Sequence, residues 1–233
     1  NCDGTFDVTL ALTATPDITT NPTDIVLVLD RSGSMEGSAL ANLKLGAKKF
    51  IQIIDQATDG SGDGQIGSGS RIGIVSFAGT ASQDTALITS VAALDAAVDN
   101  LSAGGLTNHA DAFSVATSLL STPSSNAKVM VMFTDGNTTA GGNPSPVAAA
   151  ARAQGIVIYV IGLIGSDGID ISALNNWATD PDTSHVAVTP DEADLETLFE
   201  DLAANISNPG ATSIFIDETV EQDFRILSLQ PPV

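Results

Sequence analysis

The stretch Thr23-Asp24-Ile25-Val26-Leu27-Val28-Leu29-Asp30-Arg31-Ser32-Gly33-Ser34-Met35 runs from unbroken apolar residues straight into a polar loop. Apolar residues in succession, Ile25 to Leu29, leave no polar face, the pattern of a strand buried on both sides in a parallel sheet covered by helices. Comparable runs recur at Ile72–Phe77, Val129–Phe133, Ile156–Leu163 and, more briefly, Val186–Val188. Helical spacings of three and four lie between them. Leu40, Leu43, Ala47, Phe50, Ile51 and Ile54 form one stripe, Val91, Leu94, Val98 and Leu101 a second, and Ala110, Phe113, Ala116 and Leu120 a third. Ala148 to Ala153 ends at Gly155, a C-cap signal. Thr189-Pro190 opens a last helix, Asp191 to Ser207, with its acidic residues at the positive end of the dipole.

Strand alternating with helix implies βαβ crossovers, hence an α/β fold: a doubly wound, mainly parallel sheet flanked by helices on both faces. Phe6, Val8, Leu10 and Leu12 alternate with polar residues before the Pro16 and Pro22 breaks, and Thr212 to Val220 is β-branched after Asn208-Pro209-Gly210. The expected organisation is therefore an N-terminal strand and linker at 1–22, the α/β domain at 23–207, and a C-terminal strand extension at 208–233 that begins a further β domain. The two end segments are expected to pair.

The 233 residues carry 28 Asp plus Glu against 8 Lys plus Arg, a formal charge of −20. Such a surface repels phosphate backbones and anionic lipid, so nucleic acid is excluded as a partner and cations are favoured. With 43% hydrophobic residues the chain can build a core. Cys2 is the single cysteine, so no internal disulfide forms. The longest apolar run, Ile156 to Ile164, is far short of the roughly 20 residues that span a bilayer, so no membrane insertion is expected in this segment. No charged and then apolar leader opens the sequence. Few Lys, scarce Cys and abundant Asp, Thr, Ser and Gly point to an extracellular or cell-surface setting.

In an open α/β sheet, ligands sit beyond the carboxyl ends of the strands. There the first strand runs into Asp30, Ser32 and Ser34, the third into Thr134-Asp135-Gly136, and between them Gly104-Gly105-Leu106-Thr107-Asn108 leads into a helix. Two carboxylates and several hydroxyls without a Cys or His pair make a hard-oxygen site suited to Mg²⁺, with Mn²⁺ or Ca²⁺ as alternatives. Each residue also has an ordinary structural use: Asp30 and Asp135 as helix caps, Ser32 and Ser34 as turn formers, Thr107 as a cap. His109, adjacent to Thr107, reads either as lining the rim of the site or, more often for a lone exposed His, as incidental; Asp84 and Asp111 read as solvated, His185 as lacking a partner that would suggest zinc, and Trp177 as a packed aromatic. Asp59 to Ser70 has the alternating oxygens of a calcium loop, but Ser70 stands where a bidentate Glu would close it, so the segment reads as a flexible connection.

The Asp30-Arg31-Ser32-Gly33-Ser34, Gly105-Leu106-Thr107-Asn108 and Thr134-Asp135-Gly136 elements, in that order, resemble those of the von Willebrand factor type A family, over roughly Thr23 to Ser207. The run from Val28 to Met35 is most similar to bacterial and archaeal surface members. The resemblance implies that Asp30, Ser32, Ser34, Thr107 and Asp135 form a metal-ion-dependent adhesion site. It further implies a non-enzymatic module in which a bound cation coordinates an acidic residue of a partner protein, and a last helix that shifts as the ligand changes. Two other functions compete. One is a structural or assembly domain of a larger surface protein or chelatase complex, with a degenerate or docking-only site. The other is a Mg²⁺-dependent hydrolase, disfavoured because no GxxxxGK[ST] loop, GxSxG elbow or basic cluster occurs.

Overall fold

The computed structural model describes residues 22–135, 137–163 and 169–189. The continuous apolar runs are strands: β1 (Thr23–Asp30), β2 (Arg71–Phe77), β4 (Ala127–Thr134), β5 (Ile156–Leu163) and β6 (Val186–Thr189). A short β3 (Ala81–Gln83) folds back beside β2. The sheet order is β3-β2-β1-β4-β5-β6, with every pair parallel except β2 with β3. The chain steps from β1 outward to β2 and later returns to the other side of β1 with β4. Loops leaving β1 and β4 therefore diverge in opposite directions, the topological switch point at which α/β sheets open a crevice.

Every residue of β1 is buried, and its side chains divide by the two-residue period of a strand. Ile25, Leu27 and Leu29 join the core beneath α1 (Ser38–Asp59) and α2 (Val91–Asp99). Val26 and Val28 join the core beneath α3 (His109–Leu120), α4 (Pro144–Arg152) and α5 (Ile171–Trp177). β4 divides in the same way, Val129, Val131 and Phe133 facing the first core and Met130 and Met132 the second. Leu27 is fully buried, so its truncation to Ala would cost about 3 kcal/mol in lost transfer energy and cavity formation. The chain contains no helix, among the described residues, long and apolar enough to cross a membrane.

The helical stripes read from sequence correspond to α1 to α4, with Asn143 capping α4 through Ser145 and Pro144 in its first turn. Three short elements were not legible: β3, α5 and α6 (Asp182–His185). β3 has no apolar alternation because it is an edge strand, and only its pairing with β2 makes it extended. The segment from Asp59 to Ser70 is not the flexible connection expected. Ser61 and Gln65 backbone N–H groups donate to Asp59 and Asp63 carboxylates at 2.9 and 3.0 Å, Gly67 N–H donates to Thr58 Oγ1 at 2.9 Å, and Ile66 is buried. Its aspartates thus cap local turns. The strands expected within 6–12 and 212–220, and the helix expected from Asp191 to Ser207, lie outside the described residues.

Candidate metal centre

Asp30 ends β1 on the same face as Val26 and Val28, and Thr134 ends β4 on the same face as Met130 and Met132. Because β1 and β4 are in parallel register, with Leu29 opposite Phe133, the next residue of each meets the other. The Thr134 hydroxyl donates to Asp30 Oδ2 at 2.7 Å. Strand periodicity and register place this pair.

Beyond Asp30 the chain turns on its own side chain: Ser32 N–H donates to Asp30 Oδ1 at 2.8 Å, an Asx turn. A single 3-10 turn, Gly33–Met35, follows, and Met35 plugs into the core with no exposed surface. The turn aims Ser32 and Ser34 at one another, Oγ to Oγ 3.1 Å, and the Ser34 hydroxyl donates to Asp135 Oδ1 at 2.9 Å. With that hydrogen committed to Asp135, the Ser32 hydroxyl is the donor to Ser34. Asp30, Ser32 and Asp135 are buried at 0, 0 and 2% exposure, while Ser34 is exposed, so the cluster opens to solvent at Ser34. Asp135, the residue that follows β4, is thus held inside the cluster rather than in solvent.

Thr107 arrives on the loop between α2 and α3, and backbone bonds hold that loop to both carboxylate segments. Gly33 N–H donates to Gly105 O at 2.9 Å and Gly104 N–H to Arg31 O at 2.9 Å. The approach is close enough that a Cβ on Gly33 would stand 3.2 Å from Gly105 O, and Gly105 itself has φ +89°. Thr107 N–H donates to Thr139 Oγ1 at 2.8 Å, and Thr107 O accepts from Thr139 and Ala140 N–H at 2.9 and 3.0 Å. Thr139 lies just beyond Asp135. Hence the structure brings Asp30, Ser32, Ser34 and Asp135 together through side chains, and braces buried Thr107 beside them through its backbone.

Burial pushes Asp30 up to about 6, against the hydrogen bonds from Ser32 and Thr134 that favour its ionised form; repulsion from Asp135 adds to the rise. Among the described residues no Lys or Arg pairs with Asp30.

One residue read as incidental is built into the site. His109 is fully buried rather than exposed; its Nε2 lies 2.9 Å from Thr134 Oγ1 and its Nδ1 2.9 Å from Thr138 Oγ1. Its ring lies 4.6 Å from the Trp177 ring and 5.1 Å from the Phe77 ring, centroid to centroid, so Trp177 is indeed a packed aromatic. Since Thr134 gives its hydrogen to Asp30, it must accept from His109 Nε2–H, leaving Nδ1 to accept from the Thr138 hydroxyl. Burial depresses His109 to about 4, which keeps it neutral in this chain of hydrogen bonds. The sequence signal was its place as the first residue of a helix that the topology starts beside Thr107. Asp111 is likewise engaged, accepting the Ala81 N–H at 2.7 Å.

All the converging side-chain atoms are oxygens, and among the described residues no cluster of three or more His, Cys, Asp or Glu gathers anywhere. Two carboxylates with hydroxyls suit a hard cation that keeps part of its water, the Mg²⁺ type, better than a thiolate- or imidazole-seeking ion.

Comparison with known proteins is consistent with this geometry. A profile of the von Willebrand factor type A domain matches residues 24–201. The chain is 27% identical to human Matrilin-1 over 207 residues, which is 83% of this chain and 39% of that protein. It thus spans about two fifths of the curated relatives it matches. The vWF domain of the type V pili tip protein Mfa5 from Porphyromonas gingivalis has the same fold, with a TM-score of 0.68 at 16% identity over 88% of this chain and 100% of that one. Proximal thread matrix protein 1 from the mussel byssus, solved with a zinc-occupied MIDAS motif, gives a TM-score of 0.65 at 25% identity, covering 79% of this chain and 45% of that one.

Proposed function

The chain belongs to the von Willebrand factor type A domain family, and from that premise we propose that it is a non-enzymatic adhesion module of an extracellular or cell-surface protein. Asp30, Ser32, Ser34, Thr107 and Asp135 would hold a divalent cation, Mg²⁺ foremost, with Mn²⁺ or Ca²⁺ able to replace it. When bound, the cation supplies a Lewis-acidic position for a carboxylate oxygen of a partner protein. The observation that carries this reading is the convergence of Asp30, Ser32, Ser34 and Asp135 at the switch point, with Asp30 buried and no basic side chain among the described residues to balance it. A zinc-occupied motif in the mussel thread protein, and the pilus-tip setting of the Mfa5 domain, support a metal-dependent role in surface attachment.

The protein's own groups have separable parts in that role. Asp30 and Asp135 contribute charge; Ser32 and Ser34 contribute neutral oxygens, which leaves a cation enough residual charge to attract an external carboxylate. Thr134 and His109 fix the orientation of Asp30. The Gly33–Gly105 and Thr107–Thr139 bonds keep three loops in one arrangement. Thermal unfolding in Mg²⁺, Mn²⁺, Ca²⁺ and EDTA tests the reading on wild type and on Asp30→Ala combined with Ser32→Ala. Metal at one hundred times its Kd is expected to stabilise wild type alone by about 2.7 kcal/mol. Equal stability of wild type with and without every metal would overturn it.

A further inference from the structure

Arg31 stands between two of the candidate metal ligands and faces a different space. It lines a cleft of about 440 Å³ with Ser76, Ser82, Asp84, Asn100 and Ser102, between the β2–β3 edge and the carboxyl end of α2. Its backbone is fixed, N–H donating to Phe77 O at 2.8 Å and O accepting from Gly104 N–H at 2.9 Å. Its side chain is tethered once, Nε donating to Ser76 Oγ at 3.2 Å. The two terminal amino groups make no hydrogen bond or ion pair with the described residues. Several other cations among the described residues are committed: Arg71 to Asp24, Lys48 to Asp99, Lys44 to the Asp99 carbonyl, and Arg152 to carbonyls of Asn176 and Trp177. In a chain of charge −20, a half-buried guanidinium with an open fork is the unusual feature.

We propose that this cleft is an anion subsite adjoining the metal centre, in which Arg31 takes a second carboxylate of the same partner. The inference rests on the metal–carboxylate reading and narrows it: the partner presents two neighbouring acidic groups, one for the cation and one for Arg31. A planar guanidinium held at Nε leaves its terminal amino edge to meet a carboxylate with two parallel hydrogen bonds. Asp84 sets the position of that second group. Asp84 Oδ1 accepts from Ser82 Oγ at 3.1 Å, and Ser82 Oγ lies 3.3 Å from the Ser76 Oγ that holds Arg31, so the Asp84 charge bounds the β3 side of the cleft and confines an incoming anion to the open terminal edge of Arg31.

The test uses the Mg²⁺-loaded full chain and two probes, the dicarboxylate glutarate and the monocarboxylate butyrate, followed by NMR through the backbone amides of Ser32 and Thr107 and the Arg31 Nε–H resonance. Glutarate is expected to bind about tenfold more tightly than butyrate, the factor given by roughly 1.4 kcal/mol for a partly exposed charge-assisted pair. It should also shift the Arg31 resonance. Arg31→Gln should erase the glutarate advantage, and Arg31→Lys, which keeps charge without the fork, should retain part of it. Mg²⁺ saturation checked in each sample separates loss of the second anchor from loss of the metal. If both probes bind only with Mg²⁺ but with equal affinity, or if the advantage survives Arg31→Gln, the subsite is overturned while the metal reading stands. If neither probe depends on Mg²⁺, the metal reading fails. The subsite is then judged by the Arg31 resonance: movement with glutarate supports it, and no movement overturns it.

Discussion

β1 carries a buried aspartate at each end, and the two are treated in opposite ways. Asp24, at the amino end, is fully buried; burial raises its pKa, but hydrogen bonds from Arg71, Ser124 and Asn126 outweigh that and hold it below its ordinary 3.8. Arg71 grips it with Nε at 2.9 Å and Nη2 at 2.8 Å, and Asn126 Nδ2 adds a third contact at 2.9 Å. Asp30, at the carboxyl end, is equally buried, is bonded among the described residues by the neutral groups of Ser32 and Thr134 rather than by a cation, and is raised by burial to about 6. One carboxylate is satisfied by the protein itself. The other is left with a charge that the fold does not neutralise, and that difference separates a structural anchor from a binding site on the same strand.

The contrast breaks most visibly at Asp24. Arg71→Met should destabilise the protein by about 3 kcal/mol in urea unfolding, because an unpaired buried carboxylate remains. The loss should shrink below pH 3.8, where Asp24 takes a proton in the unfolded chain and then in the folded one. An unchanged midpoint would show that the Asp24 end is as loosely held as the Asp30 end.

Asp30→Asn should act in the other direction. A carboxyl whose folded pKa exceeds its unfolded one favours folding fully below the unfolded value, and that contribution is lost as pH rises through the folded value. With 3.8 and about 6 as the two limits, the metal-free wild type gives up about 3 kcal/mol by neutral pH. In EDTA at pH 7.5 the Asn variant should therefore be more stable than wild type by about that amount. The gap should close below about pH 4, and equal stability at pH 7.5 would place Asp30 in a fully compensated environment.

Metal sharpens the comparison from the other side. Asp135→Ala should abolish the roughly 2.7 kcal/mol gained at Mg²⁺ one hundred times above Kd, whereas Arg71→Met, though destabilised, should retain it; calorimetric titration of both variants would tell. The smallest effect is expected at Thr134→Val, which keeps the shape and removes the hydroxyl between Asp30 and His109. A loss of about 1–2 kcal/mol in stability is expected from the unsatisfied partners, together with weaker Mg²⁺ binding, and full Mg²⁺ affinity would remove Thr134 and His109 from the support of the site.

Much of this was legible because it is local. Unbroken apolar runs from Ile25 and Val129 mark buried parallel strands, and the polar residues that follow them fall at the carboxyl edge wherever such strands exist. His109 was only half legible: its place beside Thr107 allowed a position at the rim of the site, but not its burial behind Asp30. A lone imidazole beside a helix start has no sequence pattern that distinguishes an exposed ring from one sealed between Phe77 and Trp177, which come from β2 and α5. The Asp59 to Ser70 segment misled for a related reason: Gly and Ser suggest freedom, but Thr58 and buried Ile66 fix it through contacts that composition does not encode.

By itself the sequence determined the α/β class, the order of the longer strands and helices, and the edge at which Asp30, Ser32, Ser34, Thr107 and Asp135 would lie, since side-chain period and turn chemistry act over a few residues. Only the tertiary structure decided that Asp24 would find Arg71 while Asp30 would find no cation among the described residues, that His109 would stand behind Asp30, and that Arg31 would turn from the metal motif into a cleft. Those outcomes depend on the register of strands far apart in the chain, and on burial, which sets what a charge costs only once the neighbours that exclude water are in place.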